Sequence, residues 1–445
     1  MPSPAITSLM AEISALSRSH VVGRVKSIQG DLVTIIGLSH AAGLGDMIEL
    51  TPSNGSPIRA EVLRLTHEEI TVLPDGMPEG LSIGDRAVLK GAPTIAPDDS
   101  WLGRVIDPFG AALDGRPLFR GPSNRALRAA PPAATRRRGL GSRVETGLTV
   151  FNTMLPIVRG QRVGLFAGSG VGKSTLLANL ARGLQADVAV IALVGERGRE
   201  VREFVDRTLG PEGMARSVVI AATSDQSAIV RRRAAWSAMA VAEYFRDQGK
   251  QVLFLTDSVT RFAEAHREIA LAGGEEPSLR GFPPSTSQMI MSLAERAGPG
   301  SGTMGDITAI FSVLVAGSDM DEPVADILRG VLDGHVVLDR QIAERGRFPA
   351  IDLLRSVSRS LPDAASGDEN ALITGARRLL GAYERVEVMI QAGLYTAGSD
   401  PEIDAAIKVW PLLDAFLAQE EAEDTAASFA NLAQCLAAAE PKNRL

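Results

Sequence analysis

The stretch FAGSGVGKST, residues 166–175, is suited to holding phosphate. Gly168, Gly170 and Gly172 let the backbone turn tightly enough to aim several N–H groups at one anion. Lys173 can reach the outer phosphates of a nucleotide, and the Ser174 hydroxyl can serve Mg²⁺. Ser169, Val171 and Thr175 complete the loop. The first position of the pattern G-x-x-x-x-G-K-[ST] holds Ala167 instead of glycine. It falls at the end of an apolar run, RVGLFA, where a methyl is a small steric change. A helical stretch follows, with Leu176, Leu177, Leu180 and Leu184 at helical spacing. Strand, glycine-rich loop and helix in that order suit phosphate binding, because the helix N-terminus adds its own partial positive charge.

Three other places could complete the chemistry. The run QVLFLTD ends in Asp257. In an open parallel sheet ligands gather beyond the carboxyl ends of the strands, so Asp257 is expected on the same edge as the loop, holding Mg²⁺ through water. The run VAVIALVG delivers Glu196 to that edge. ATP hydrolysis needs a group that orients and polarises water, and Glu196 is the candidate. Arg197 beside it could pair with a carboxylate or meet a phosphate; a plain surface Glu–Arg loop is the other reading. Finally RFPAIDLLRSVSRS, 347–360, reads as a loop after the sheet carrying Phe348 and Arg359. A cation supplied to the γ-phosphate, often from a neighbouring subunit, speeds phosphoryl transfer. Spacing alone also fits a surface arginine and a core phenylalanine.

Positioning these groups takes a framework. From about 150 to 355 apolar strand runs alternate with helical segments, which predicts a parallel sheet covered on both faces. Before it, short β-rich runs cut by Gly, Pro, Asn and Asp predict a small antiparallel barrel. Beyond about 365 the chain is Ala/Leu-rich and helical. The expected organisation is an N-terminal amphipathic helix (1–20), a β-barrel (21–95), a P-loop ATPase core (96–362) and a C-terminal helical domain (363–445). Ile6, Leu9, Met10, Ile13 and Leu16 share one face of the first helix. That face either packs on its own domain or docks a partner. Residues 96–145 read as loops, Arg136–Arg138 and Arg231–Arg233 as surface clusters, and Cys435 as a buried helix residue.

Composition excludes several classes. With 45% hydrophobic and 22% charged residues the 445-residue chain is a folded one. A net charge of −7 and 4% aromatic content argue against nucleic-acid binding. A single cysteine fits a reducing cytoplasm. No apolar run approaches the ~20 residues needed to span a bilayer, and no secretory leader is expected, so membrane contact would be peripheral.

Together these motifs resemble the F-type and V-type ATPase alpha/beta subunit family, within it the flagellar and type III protein-export branch. GERGRE resembles the loop carrying the family's catalytic glutamate, here Glu196. LFLTDSVTRFAEAHREIALA resembles the export Walker B segment, placing Arg261 near the phosphates. PAIDLLRSVS matches the family signature, so Arg359 is implied to be an arginine finger acting in trans and Phe348 a base-stacking aromatic. The family accepts alanine at the position of Ala167. The resemblance implies a RecA-like P-loop core, Mg-ATP hydrolysis and a homohexamer. The implied partners are a stator-like regulatory protein at the N-terminal helix, a stalk protein in the ring pore, export substrates with their chaperones, and an export gate at the inner membrane. An injectisome ATPase is the rival within the branch. An ATP synthase catalytic subunit, an RNA-translocating hexamer and a catalytically dead scaffold are the rivals outside it.

Overall fold

The computed structural model describes residues 4–16, 19–53, 55–315, 320–421 and 423–439. Six strands, β1 (Val22–Gln29), β2 (Leu32–Ile36), β3 (Met47–Thr51), β4 (Ile58–Leu65), β5 (Glu69–Pro74) and β6 (Arg86–Gly91), close into an antiparallel barrel in the order β1-β2-β5-β4-β3-β6. Alternate residues fill it, among them Val33, Ile35, Ile48, Leu50, Ile70 and Val72.

The core sheet has eight strands: β8 (Arg104–Ile106), β10 (Arg162–Ala167), β11 (Val188–Glu196), β12 (Ser217–Thr223), β13 (Val252–Asp257), β14 (Ile307–Leu314), β15 (Gly334–Leu338) and β16 (Ile351–Ser358). Two short strands, β7 (Thr94–Ile95) and β9 (Arg125–Ala126), pair separately. The order is β16-β15-β10-β14-β13-β11-β12-β8, parallel throughout except for β16 on its edge. Strand β11 shows why both faces are covered. Ala189, Ile191 and Leu193 enter one apolar cluster, Val188, Val190, Ala192 and Val194 the other. Helices Lys173–Gly183, Gly367–Gln391 and Pro401–Phe416 pack on the first side, and Ala228–Asp247 and Val259–Ala272 on the second. A capping box of Ser366 and Glu369 starts the long C-terminal helix.

Several sequence expectations need correction. Within the supposed loops of 96–145, β8 adds to the sheet beside β12; three residues are too few to show a period. The signature after Phe348 is a strand, β16, rather than a loop. Arg232 and Arg233 are buried at 3% and 7% exposure, not a surface cluster. Arg232 pairs with Glu61 of the barrel at 2.6 Å, and Arg233 donates to the carbonyls of Pro108 and Thr94. Arg137 and Arg138 are likewise tied down, Arg138 reaching Asp306 at 2.6 Å. Cys435 is half-buried. Helix Pro4–Ala15 turns Ser8 inward, where it accepts from the Arg120 N–H, and leaves Ile6, Leu9, Met10 and Ile13 exposed, so its apolar face is not packed on its own domain. Among the described residues no helix is long and apolar enough to cross a membrane.

Candidate functional site

The glycine-rich loop leaves the sheet where β10 ends. Ala167 is 1% exposed and its methyl belongs to the core, so the missing first glycine costs the loop nothing. Gly170 and Gly172 have φ of +79° and +86°, a conformation side chains resist. Gly172 begins helix Lys173–Gly183, and a Cβ built there would stand 3.1 Å from Phe348 Cδ1. Phe348 thus lies against the loop and is 50% exposed, which corrects the reading of it as a core residue.

Asp257 closes β13 at 3% exposure. It is ion-paired with Lys173 Nζ and accepts from Ser312 Oγ at 3.0 Å. Ser312 comes from β14, the strand between β10 and β13. Glu196 closes β11. The preceding Gly195 has φ of +72°, and a Cβ there would meet the stem of Arg261 at 3.3 Å. Arg261 pairs with Glu264 at 2.9 Å, and Arg197 with Glu200 at 3.1 Å. A cavity of about 730 Å³ is lined by Gly168–Gly170, Gly172–Thr175, Glu196, Arg197 and Arg261. A smaller one of about 220 Å³ runs between Ser174, Glu196, Glu200 and Asp257. One chain therefore brings together the loop, both carboxylates, Arg197, Arg261 and Phe348.

Arg359 stands apart. Ala167 is in register with Leu338, and Leu338 with Ile351, whereas Ser358 pairs with Gly334 at the far end of β15. Four residues of strand put that end about 13 Å from the loop edge. Arg359 leaves the sheet there, exposed, its guanidinium 3.4 Å from the Arg329 carbonyl.

Residues 147–358 match the family model of the ATP synthase alpha/beta family nucleotide-binding domain, and 365–438 that of the T3SS EscN ATPase C-terminal domain. The chain is 44% identical to the flagellum-specific ATP synthase of Caulobacter vibrioides over 96% of its own length and 99% of that protein. It is 42% identical to the type 3 secretion system ATPase of Xanthomonas euvesicatoria over 93% of each. The assembled ATPase EscN of the enteropathogenic E. coli type III secretion system superposes with a TM-score of 0.84 at 36% identity, covering 93% of this chain and all of that one. The chain belongs to the ATP synthase alpha/beta family, in its flagellar and type III secretion branch. It is an ATPase.

The electrostatics of this ATPase centre on Glu196. Burial pushes its carboxyl up to about 7, and the negative Asp257 adds to that, while Lys173 works against it. A hydrogen bond shared with Glu200 keeps the proton on Glu196. Burial acts to raise Glu200 too, but the hydrogen bond from Glu196 and the nearby Arg197 outweigh it and hold Glu200 below its ordinary value. Glu196 is thus a carboxyl whose proton is exchangeable near neutral pH, which a general base requires. Ser174, Asp257, Glu196 and Glu200 offer hard oxygen donors around one small space, the donor chemistry that magnesium takes.

Sequence reasoning missed Glu200, Ser312 and Glu264. Glu200 lies in the same GERGRE string, but its approach to Glu196 follows from the turn between the strand ending at Glu196 and the helix beginning at Gly198. Ser312 had no signal, because its place next to Asp257 follows from strand order alone.

Proposed function

We propose that this ATPase energises the export of flagellar proteins, working in the cytoplasm as a homohexameric ring at the inner-membrane export apparatus. The observation that carries this reading is the near full-length likeness to flagellum-specific ATP synthases, at 44% identity for Caulobacter vibrioides and 42% for Bacillus subtilis.

Backbone N–H groups of the loop and Lys173 hold the phosphates, Lys173 exchanging Asp257 for phosphate oxygens. Ser174 and Asp257 would hold Mg²⁺, which when bound supplies positive charge against the phosphates. Glu196 orients the attacking water and takes its proton. Arg197 and Arg261 line the wall on which phosphate charge develops. Phe348 stacks on the adenine. Arg359 acts on the site of the neighbouring subunit, a role supported by its place at the sheet's far end.

The exposed apolar face of helix Pro4–Ala15 suits a stator-like regulatory partner. EscN has been solved with its central stalk EscO, which supports a stalk protein in this ring's pore. Substrates with their chaperones and a membrane export gate complete the partners; nucleic acid is not among them.

The test is a Lys173→Ala strain. Loss of motility and of flagellar protein export is expected. Normal export with full motility would sink the reading. The likeness to type 3 secretion ATPases favours one alternative, which would appear as lost effector secretion with motility intact.

A further inference from the structure

Strands β15 and β16 do not match in length. They pair at Gly334–Ser358 and His335–Val357, and again at Val337–Asp352 and Leu338–Ile351. Between those points β15 contributes one residue, Val336, and β16 contributes four, Leu353, Leu354, Arg355 and Ser356. This bulge lies between Phe348 and Arg359. A bulge strips carbonyls of their ladder partners, and each needs another donor.

Side chains supply donors to carbonyls of Leu353, Arg355 and Ser356 in the bulge and of Asp352 beside it. His335 Nε2 lies 3.0 Å from the Arg355 carbonyl, and Ser356 Oγ accepts from the Val337 N–H while donating to the Asp352 carbonyl. Two of these contacts come from one residue of the C-terminal helix Gly367–Gln391. Arg377 donates to the carbonyls of Leu353 at 3.0 Å and Ser356 at 3.1 Å, and lies 3.5 Å from that of Met154. Two residues on, Pro156 accepts from Ser358 and Ser360. Among the described residues no carboxylate pairs with Arg377, whose pKa burial alone lowers. Burying part of a cation without a counter-charge is costly, and packing this helix on the sheet does not require one.

We propose that Arg377 is a positioning residue for Arg359. By tying down Leu353 and Ser356 it fixes the bulge, and so fixes the point from which Arg359 reaches the neighbouring subunit's nucleotide. The inference rests on Arg359 acting across the interface.

The experiment uses full-length Arg377→Gln rings. kcat should fall on the order of 10- to 100-fold, the cost of a misplacement of about 1 Å, with KM for ATP within about twofold. A purely structural role would move KM and assembly with it. Mixed with Lys173→Ala subunits, Arg377→Gln should regain activity, since about a quarter of random interfaces join its intact loop to an intact finger. Arg359→Ala mixed with Lys173→Ala is the control. Recovery in both mixtures supports the proposal. Recovery in the control alone, or wild-type kcat for Arg377→Gln, overturns it. Failure of both overturns the interface reading beneath it. If Arg377→Gln does not assemble, Arg377→Lys decides, since it keeps one carbonyl contact. A severalfold kcat loss at unchanged KM supports the proposal, and wild-type kcat overturns it.

Discussion

Lys173 and Asp257 form an ion pair at the floor of the nucleotide cavity, their side chains 10% and 4% exposed. The pair makes the loop lysine's charge acceptable before any phosphate meets it. Asp257→Asn would strand that ammonium beside a neutral amide. A fully buried pair broken this way costs about 3–5 kcal/mol; beside an open cavity about 2 kcal/mol is expected. Denaturant unfolding of nucleotide-free protein measures it, and turnover should fall at least ~100-fold with the proposed Mg²⁺ site damaged. An unchanged midpoint would show the pair to be idle.

If Glu196 is the base, as proposed, it sets the pH dependence of turnover. With its carboxyl raised to about 7, the base is protonated below neutrality, so kcat/KM should climb between pH 6 and pH 8. The stability effect runs the other way. Because folding raises this carboxyl above its ordinary 4.5, the folded state binds the extra proton between those values and loses stability as pH rises through that window. Glu196→Gln should therefore retain ATP binding, lose nearly all turnover, and unfold later than the parent at pH 8 by about 1 kcal/mol, discounted for partial exposure. The gap should close at pH 5. A gap over the parent no larger at pH 8 than at pH 5 would refute the assignment of the raised pKa to Glu196.

The parts of the site legible in sequence are those written in short contiguous strings. The loop 167–175, Asp257 at the end of QVLFLTD and Glu196 at the end of VAVIALVG each follow a continuous apolar strand run with polar or glycine-rich chemistry at its end, and the parallel sheet then delivers them to one edge. What stayed hidden depends on distant partners. Arg232 and Arg233 read as a charge run because Glu61 lies 171 residues earlier than Arg232. Strand β16 read as a loop because its bulge breaks the alternation that marks a strand. Ser312 owes its role to strand order, which one strand's sequence does not encode.

Phe348 tests how much affinity the base contributes. It is 50% exposed and rests against Gly172, so its ring has a free side. Stacking on a base is worth about 1–3 kcal/mol. Phe348→Ala should raise KM for ATP by roughly 5- to 150-fold with kcat within about threefold, and Phe348→Tyr should be near neutral. Steady-state kinetics with ATP would decide. An unchanged KM for the alanine variant would remove Phe348 from the site.

The barrel is fastened to the core by buried charge. Glu61, 5% exposed, receives Arg232 and Arg128, each at 2.6 Å, and both guanidiniums lie over Trp236, at 4.8 Å and 4.7 Å from its ring centroid. His266 joins the network through Arg232, and burial with that nearby cation pushes its pKa down to about 4, so it stays neutral and adds no further charge. Glu61→Ala would leave Arg232 buried without a counter-ion, at a cost of about 3–5 kcal/mol. Replacing the pair together, Glu61→Leu with Arg232→Met, should cost far less, because the only charge then left without its partner is Arg128, whose side chain is 40% exposed to water. Thermal melts of the single and double variants give the comparison. A double variant as unstable as Glu61→Ala would mean that the pair's hydrogen bonds, rather than the stranded charge, hold the barrel in place.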